Sequence, residues 1–220
     1  MQVHHDSRSF FLHGPAGRLE AILWTPTRAD VSSLAAVLCH PHPLYGGTLH
    51  NKVVYQAAKS LDSLGVPVLR FNFRGAGLSA GEHDRGIGEA GDVEAAIDFL
   101  VQEFPGRSLL VGGFSFGSWV GLRVGCGHSQ VTELIGLGIP VNSSDFSYLA
   151  SCNKPKLIIH GTQDEFGNWE TVESTVARMA GDTRLVFVQD AGHFFVGRLN
   201  EVDRAICDWL LERHPELHKL

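Results

Sequence analysis

Gly113-Phe114-Ser115-Phe116-Gly117 stands between two segments of different character. Before it, Ser108 to Gly112 is an apolar run of the kind that forms a buried strand. After it, Ser118 to Val124 opens a helix. The pentapeptide is therefore read as a sharp strand-to-helix turn with Ser115 at its tip. Such a turn is too tight for Cβ atoms on both sides, so small residues flank the serine, and its hydroxyl is held exposed above the sheet.

The rest of the chain supplies the sheet that this turn requires. Ser9 to His13 and Arg18 to Thr25, joined by Gly14-Pro15-Ala16-Gly17, read as a hairpin. Ala35 to Cys39 is a strand running into His40-Pro41-His42-Pro43-Leu44-Tyr45-Gly46-Gly47, a loop that its prolines and glycines keep from helix or strand. Lys52 to Leu64 has helical apolar spacing and is closed by Gly65. Val66 to Phe73 is a strand, and Gly91 to Phe104 a helix that stops before Pro105-Gly106. Beyond the elbow, strands are expected at Val131 to Ile139, Lys156 to His160 and Leu185 to Gln189. Helices are expected at Trp169 to Ala180 and Glu201 to Arg213. Two antiparallel strands followed by β-α repeats predict an α/β fold, a mostly parallel sheet flanked by helices, as one domain over residues 1–220. Right-handed crossovers place the strand-to-helix loops at one sheet edge, where sites form. Between Ile139 and Lys156, only Pro140 to Pro155 is available. One short helix fits there, over Ser144 to Ala150, so the site is expected to be open, with little or no lid.

Composition removes other classes. With 44% hydrophobic residues the chain can bury one sizeable core. Its net charge of −6, without a basic patch, argues against nucleic-acid or anionic-membrane partners. Met1 to Asp6 lacks the basic and apolar regions of a secretory signal, and no apolar stretch is long enough to span a bilayer. Cys39, Cys126, Cys152 and Cys207 are scattered, as thiols in a reducing cytoplasm would be. Neither a metal nor a cofactor is expected. His40 and His42 cannot form a helical ligand pair among prolines, and His4 and His5 have no further ligand near them. His214 and His218 are read as solvated at the C-terminus.

A serine hydroxyl needs a base, and the base an orienting acid. The strand ending at His160 leads into Gly161-Thr162-Gln163-Asp164-Glu165, and the strand ending at Gln189 leads into Asp190-Ala191-Gly192-His193-Phe194. Ser115, Asp164 and His193 thus fall at three strand ends on one edge, in the order serine, acid, histidine. Glu165, Asp145 and Asp190 are the rival acids. The oxyanion donors expected are the Phe116 N–H and one N–H of the loop after the third strand, His42 or Leu44, since Pro41 and Pro43 have none. Phe116 is placed at the acyl pocket and Trp119 beneath the elbow helix. Arg74 is expected to pin its own loop to Glu89 or Asp92.

The loop His40 to Gly47, Asn51-Lys52-Val53-Val54, Arg70 to Gly75 and the Gly88-Glu89 to Asp92 stretch resemble the small, lidless bacterial α/β-hydrolases of the dienelactone-hydrolase-like class. The resemblance runs from about Gly17 to Leu211. It implies an α/β-hydrolase fold and a cytosolic serine esterase, and it supports Ser115, Asp164 and His193 as the triad. Dienelactone hydrolases carry cysteine as nucleophile, so lactone specificity does not carry over to Ser115. Leu49 and His50 depart from the group's pattern, which makes His50 a candidate to alter the rim of the site, its role left open. The expected activity is cleavage of short-chain acyl esters of small molecules through an acyl-enzyme. The alternatives are a thioesterase or peptidase with the same triad, or a non-catalytic binding protein of the same fold.

Overall fold

A computed structural model describes residues 5–27 and 32–217. His4 and His218 lie outside the described residues. The strands are β1 (His5–Gly14), β2 (Gly17–Pro26), β3 (Leu34–Cys39), β4 (Val68–Phe71), β5 (Ser108–Phe114), β6 (Val131–Leu137), β7 (Lys156–Gly161) and β8 (Thr183–Val188). The helices are α1 (Lys52–Asp62), α2 (Ile87–Glu103), α3 (Phe116–Gly127), α4 (Trp169–Val176) and α5 (Leu199–Arg213). The strands form one sheet in the order β1-β2-β4-β3-β5-β6-β7-β8. β1, β2 and β4 pair antiparallel, and every pairing from β4–β3 onward is parallel. This is the α/β-hydrolase fold, without a lid between β6 and β7.

The central strands are apolar on both faces because helices cover both. In β3, Ala35, Val37 and Cys39 join the core beneath α2 and α3, while Leu34, Ala36 and Leu38 join the core beneath α1 and α5. The strand's period of two thus divides one continuous apolar run between two cores. In α1 the buried side chains Val53, Val54, Ala57, Ala58 and Leu61 form the inward stripe. Asn51 caps this helix, its Oδ1 accepting from the N–H groups of Val53 and Val54 at 2.9 and 3.4 Å.

Several boundaries differ from the sequence reading, each for a local reason. α2 begins at Ile87 rather than Gly91, because Glu89 reaches back to accept from the Gly86 N–H at 2.8 Å and builds a start there. α4 stops at Val176, where Ala180 N–H turns away to donate to Leu149 O at 3.0 Å. The segment between β6 and β7 holds a short 3-10 turn, Ser147–Ser151, in place of the helix expected over Ser144 to Ala150. The proline-rich loop after β3 also contains a 3-10 turn, Pro43–Tyr45, although no helix was expected there. Pro43 occupies its first position, where the missing N–H costs nothing, and the His42 ring caps it.

Candidate active site

At the end of β5 the chain reverses through Ser115, whose φ of 54° and ψ of −122° lie outside the ordinary range of an L-residue. Such a conformation costs on the order of 1–3 kcal/mol and persists only where the surroundings enforce it. Here they do. The Ser115 N–H donates to Leu137 O on β6 at 2.9 Å, and its carbonyl accepts from the Ser118 hydroxyl at 2.6 Å. A Cβ on Gly113 would lie 2.2 Å from Gly117 O, and one on Gly117 would lie 2.4 Å from the carbonyl oxygens of Cys39 and His40. Both glycines are therefore obligatory, and the second lets the elbow press against the end of β3. The Ser115 side chain makes no capping bond to α3.

Asp164 lies in the turn after β7 and is buried, and His193 lies in the turn after β8. His193 Nδ1 is 2.8 Å from Asp164 Oδ2. The other carboxylate oxygen accepts from the Phe166 N–H at 2.8 Å. A carboxylate only accepts, so in this bond His193 is assigned as the donor from Nδ1, and Nε2 has no hydrogen-bond partner among the described contacts. Gly138 makes room for this ring, since a Cβ there would lie 3.3 Å from His193 Cε1 and 3.0 Å from Phe114 Cε2. Around the imidazole stand Phe114 at 4.7 Å, Phe166 at 4.5 Å and Phe194 at 5.2 Å between ring centroids. Of the rival acids, Asp145 accepts from Ser147 N and Oγ at 2.8 Å, and Glu165 is exposed. Asp190 lies beside Arg198 at 3.9 Å, so none of the three engages His193 among the described contacts.

Ser115 and His193 line one open cleft of about 440 Å³. His42, Tyr45 and Asn51 close one side, and Phe166 and Phe194 another. Phe116 lines the cleft as expected, its ring 4.9 Å from that of His42. Asn51 commits its Oδ1 to the α1 cap, which turns its NH₂ group away from the helix. The Leu44 N–H donates to His42 Nδ1 at 3.3 Å, so it is engaged within its own turn, and Leu44 does not line the cleft. His50 is exposed and outside the cleft lining, and its N–H donates to Thr48 Oγ1 at 3.3 Å.

The other singled-out residues are structural. His40 is fully buried, with Nε2 accepting from the Phe73 N–H at 2.9 Å and Nδ1 donating to Pro41 O at 2.6 Å. Burial holds its pKa down at about 4 against an ordinary 6.5. Burial also lowers the pKa of His42, and neighbouring His83 lowers it further. Arg74 binds Asp92, with Nη2–Oδ1 at 2.7 Å and Nε–Oδ2 at 3.0 Å, which pins the loop as expected. Trp119 is half-buried, donating from its indole to Asp145 O at 3.0 Å. His214 is not solvated: its Nε2 pairs with the buried Glu133 at 2.9 Å. His5 stacks on Trp24 at 4.4 Å and binds Asp62 at 2.9 Å. None of the four cysteines is in a disulfide. Among the described residues no three His, Cys, Asp or Glu side chains converge on a metal position, and no helix is long and apolar enough to cross a membrane.

Sequence reading missed Phe166 and Phe194 as cleft residues, and it missed His160. That ring is fully buried, with Nε2 on Gly167 O at 2.7 Å and 3.6 Å from Asp164 Oδ2. Burial pushes its pKa down, against the upward pull of Asp164. The only available signal was its place four residues before Asp164 at a strand end.

Residues 36–205 match the model of a family described as an alpha/beta hydrolase domain, and the chain belongs to this α/β-hydrolase family. An uncharacterised protein of Rickettsia prowazekii is 36% identical over 217 residues, covering 94% of this chain and 90% of the relative. An alpha-beta serine hydrolase homologue from Coxiella burnetii is 37% identical with a TM-score of 0.87, covering 92% of this chain and 97% of that one. A Xanthomonas campestris protein, described as a serine hydrolase without a lid, is 34% identical with a TM-score of 0.87 and 96% coverage of both chains. The fold and its small, lidless form thus agree with these relatives.

Proposed function

We propose that this protein is a serine hydrolase that cleaves short-chain carboxylic esters through Ser115, His193 and Asp164. The observation that carries the reading is the 2.8 Å bond from His193 to buried Asp164 at the rim of the cleft that also holds the strained Ser115. The family and the serine hydrolase relatives support the same class. His193 Nε2 takes the Ser115 proton as Oγ attacks the acyl carbonyl. Asp164 fixes the imidazole tautomer and stabilises the imidazolium. His193 then protonates the leaving alkoxide, giving the alcohol and the acyl-enzyme, and water repeats the sequence to release the acid.

The tetrahedral oxyanion is assigned to the N–H groups of Phe116 and His42. Phe116 is the first residue of α3, where an N–H has no partner within the helix. His42 is favoured over Leu44 because the Leu44 N–H is already engaged by the His42 ring. Each donor contributes about 10²–10³ in turnover. Short acyl groups are favoured because a 440 Å³ open cleft offers no tunnel for a long chain.

Nitrophenyl esters of increasing acyl length test the reading. Turnover that falls as the acyl chain lengthens and vanishes in Ser115→Ala is expected. Turnover unchanged in Ser115→Ala would refute the nucleophile, and a large preference for acyl-CoA over matched oxygen esters would make the protein a thioesterase.

A further inference from the structure

Two exposed phenylalanines stand beside the histidine assigned as acid and base. Phe166 is 44% and Phe194 51% exposed, yet each ring packs against the His193 imidazole. Phe166 meets it at 4.5 Å with planes tilted by 49°, and Phe194 at 5.2 Å nearly edge-on at 82°. Phe194 also leans on buried Phe114 at 5.7 Å. Neither ring is loosely placed. The Phe166 N–H is held by Asp164 Oδ1 at 2.8 Å, and Phe194 follows His193 directly in the chain. The turns that carry the acid and the base therefore also set two aromatic surfaces at the mouth of the cleft.

Reaction geometry says which half of an ester these rings meet. The group that protonates the leaving oxygen must come within hydrogen-bond reach of it. Side chains packed against His193 therefore border the leaving alcohol, whereas His42 and Phe116 border the carbonyl. Two exposed aromatic rings, inclined to the imidazole by 49° and 82°, offer a third ring both edge and face contacts. On the reading of the protein as a serine esterase, we infer that its leaving-group subsite takes an aromatic alcohol, with Phe166 and Phe194 as specificity-determining residues.

Benzyl acetate and cyclohexylmethyl acetate test this. They share acyl group and ring size and differ in the π-system, with benzyl alcohol only slightly the more acidic, and that small bias is the same in every variant. The wild type is expected to show a kcat/KM ratio of about three- to tenfold in favour of the benzyl ester, the range of one or two aromatic contacts. Phe166→Leu and Phe194→Leu should each lower the ratio, and the double variant should bring it to about one. Because the ratio is taken within each variant, a general disturbance of His193 cancels. Product inhibition of the wild type gives a readout that needs no variant: benzyl alcohol should inhibit more strongly than cyclohexylmethanol. A ratio of one in an enzyme whose Ser115 is labelled by a fluorophosphonate would overturn this inference alone, as would a ratio unchanged in the double variant. A protein that neither takes the label nor cleaves either ester would overturn the esterase reading and this inference with it.

Discussion

His40 and His193 are both buried histidines at the carboxyl edge of one sheet, after β3 and after β8, and on the proposed mechanism their surroundings fit them to opposite roles. Both nitrogens of His40 are committed to backbone groups, to Phe73 N–H and Pro41 O. Its proton is locked in place, and its pKa near 4 keeps it neutral. His193 has one nitrogen committed, to Asp164, has no described hydrogen bond on the other, and is among the residues that line the cleft. What separates a brace from an acid-base group is therefore not burial. It is whether one nitrogen stays available while the other is held by a carboxylate that can stabilise a second proton.

The contrast can be broken by exchanging the lesions. His193→Ala should lower kcat by about 10⁴–10⁶ with unchanged circular dichroism, since members of a triad act as a unit. Asp164→Asn should follow with about 10³–10⁴, because an amide can present its N–H to Nδ1 and fix the wrong tautomer. A near-silent Asp164→Asn beside a crippled Glu165 or Asp145 variant would move the acid elsewhere.

His40 should instead report in stability. Its folded pKa is below the unfolded one, so the unfolded chain binds more protons between about 6.5 and about 4. Stability from this group is fully present above pH 6.5 and is lost as pH falls toward 4, by about 3 kcal/mol in all. Urea unfolding at both ends of that window should show the loss, and His40→Gln should make the stability curve flatter. An equally steep curve in His40→Gln would remove His40 from the account. The smallest effect belongs to Asn51→Ala, which removes the α1 cap and should cost about 1 kcal/mol in chemical denaturation.

Much of this contrast was legible in the sequence, and the reason is local. The elbow is written in five consecutive residues, and the acid and base each stand a few residues past an apolar strand, so chain order alone brings Ser115, Asp164 and His193 to one edge. That His40 and His42 form no helical pair was legible too, from the prolines around them. Side-chain direction was not. Nothing in Phe194 or Phe166 says that the ring turns toward His193 rather than into the core. The pairing of His214 with Glu133 spans 81 positions and depends on where the chain after α5 comes to lie relative to β6. The early start of α2 depended on a carboxylate reaching back to its own first turn, a bond that apolar spacing does not encode.

The account's central claim is that Ser115 is a nucleophile activated by His193. Treating the folded protein with a fluorophosphonate and locating the adduct by peptide mass spectrometry tests it most directly. A single adduct on Ser115, slowed by orders of magnitude in His193→Ala, is the predicted result. No adduct on folded protein, or one formed equally fast without the imidazole, would contradict it.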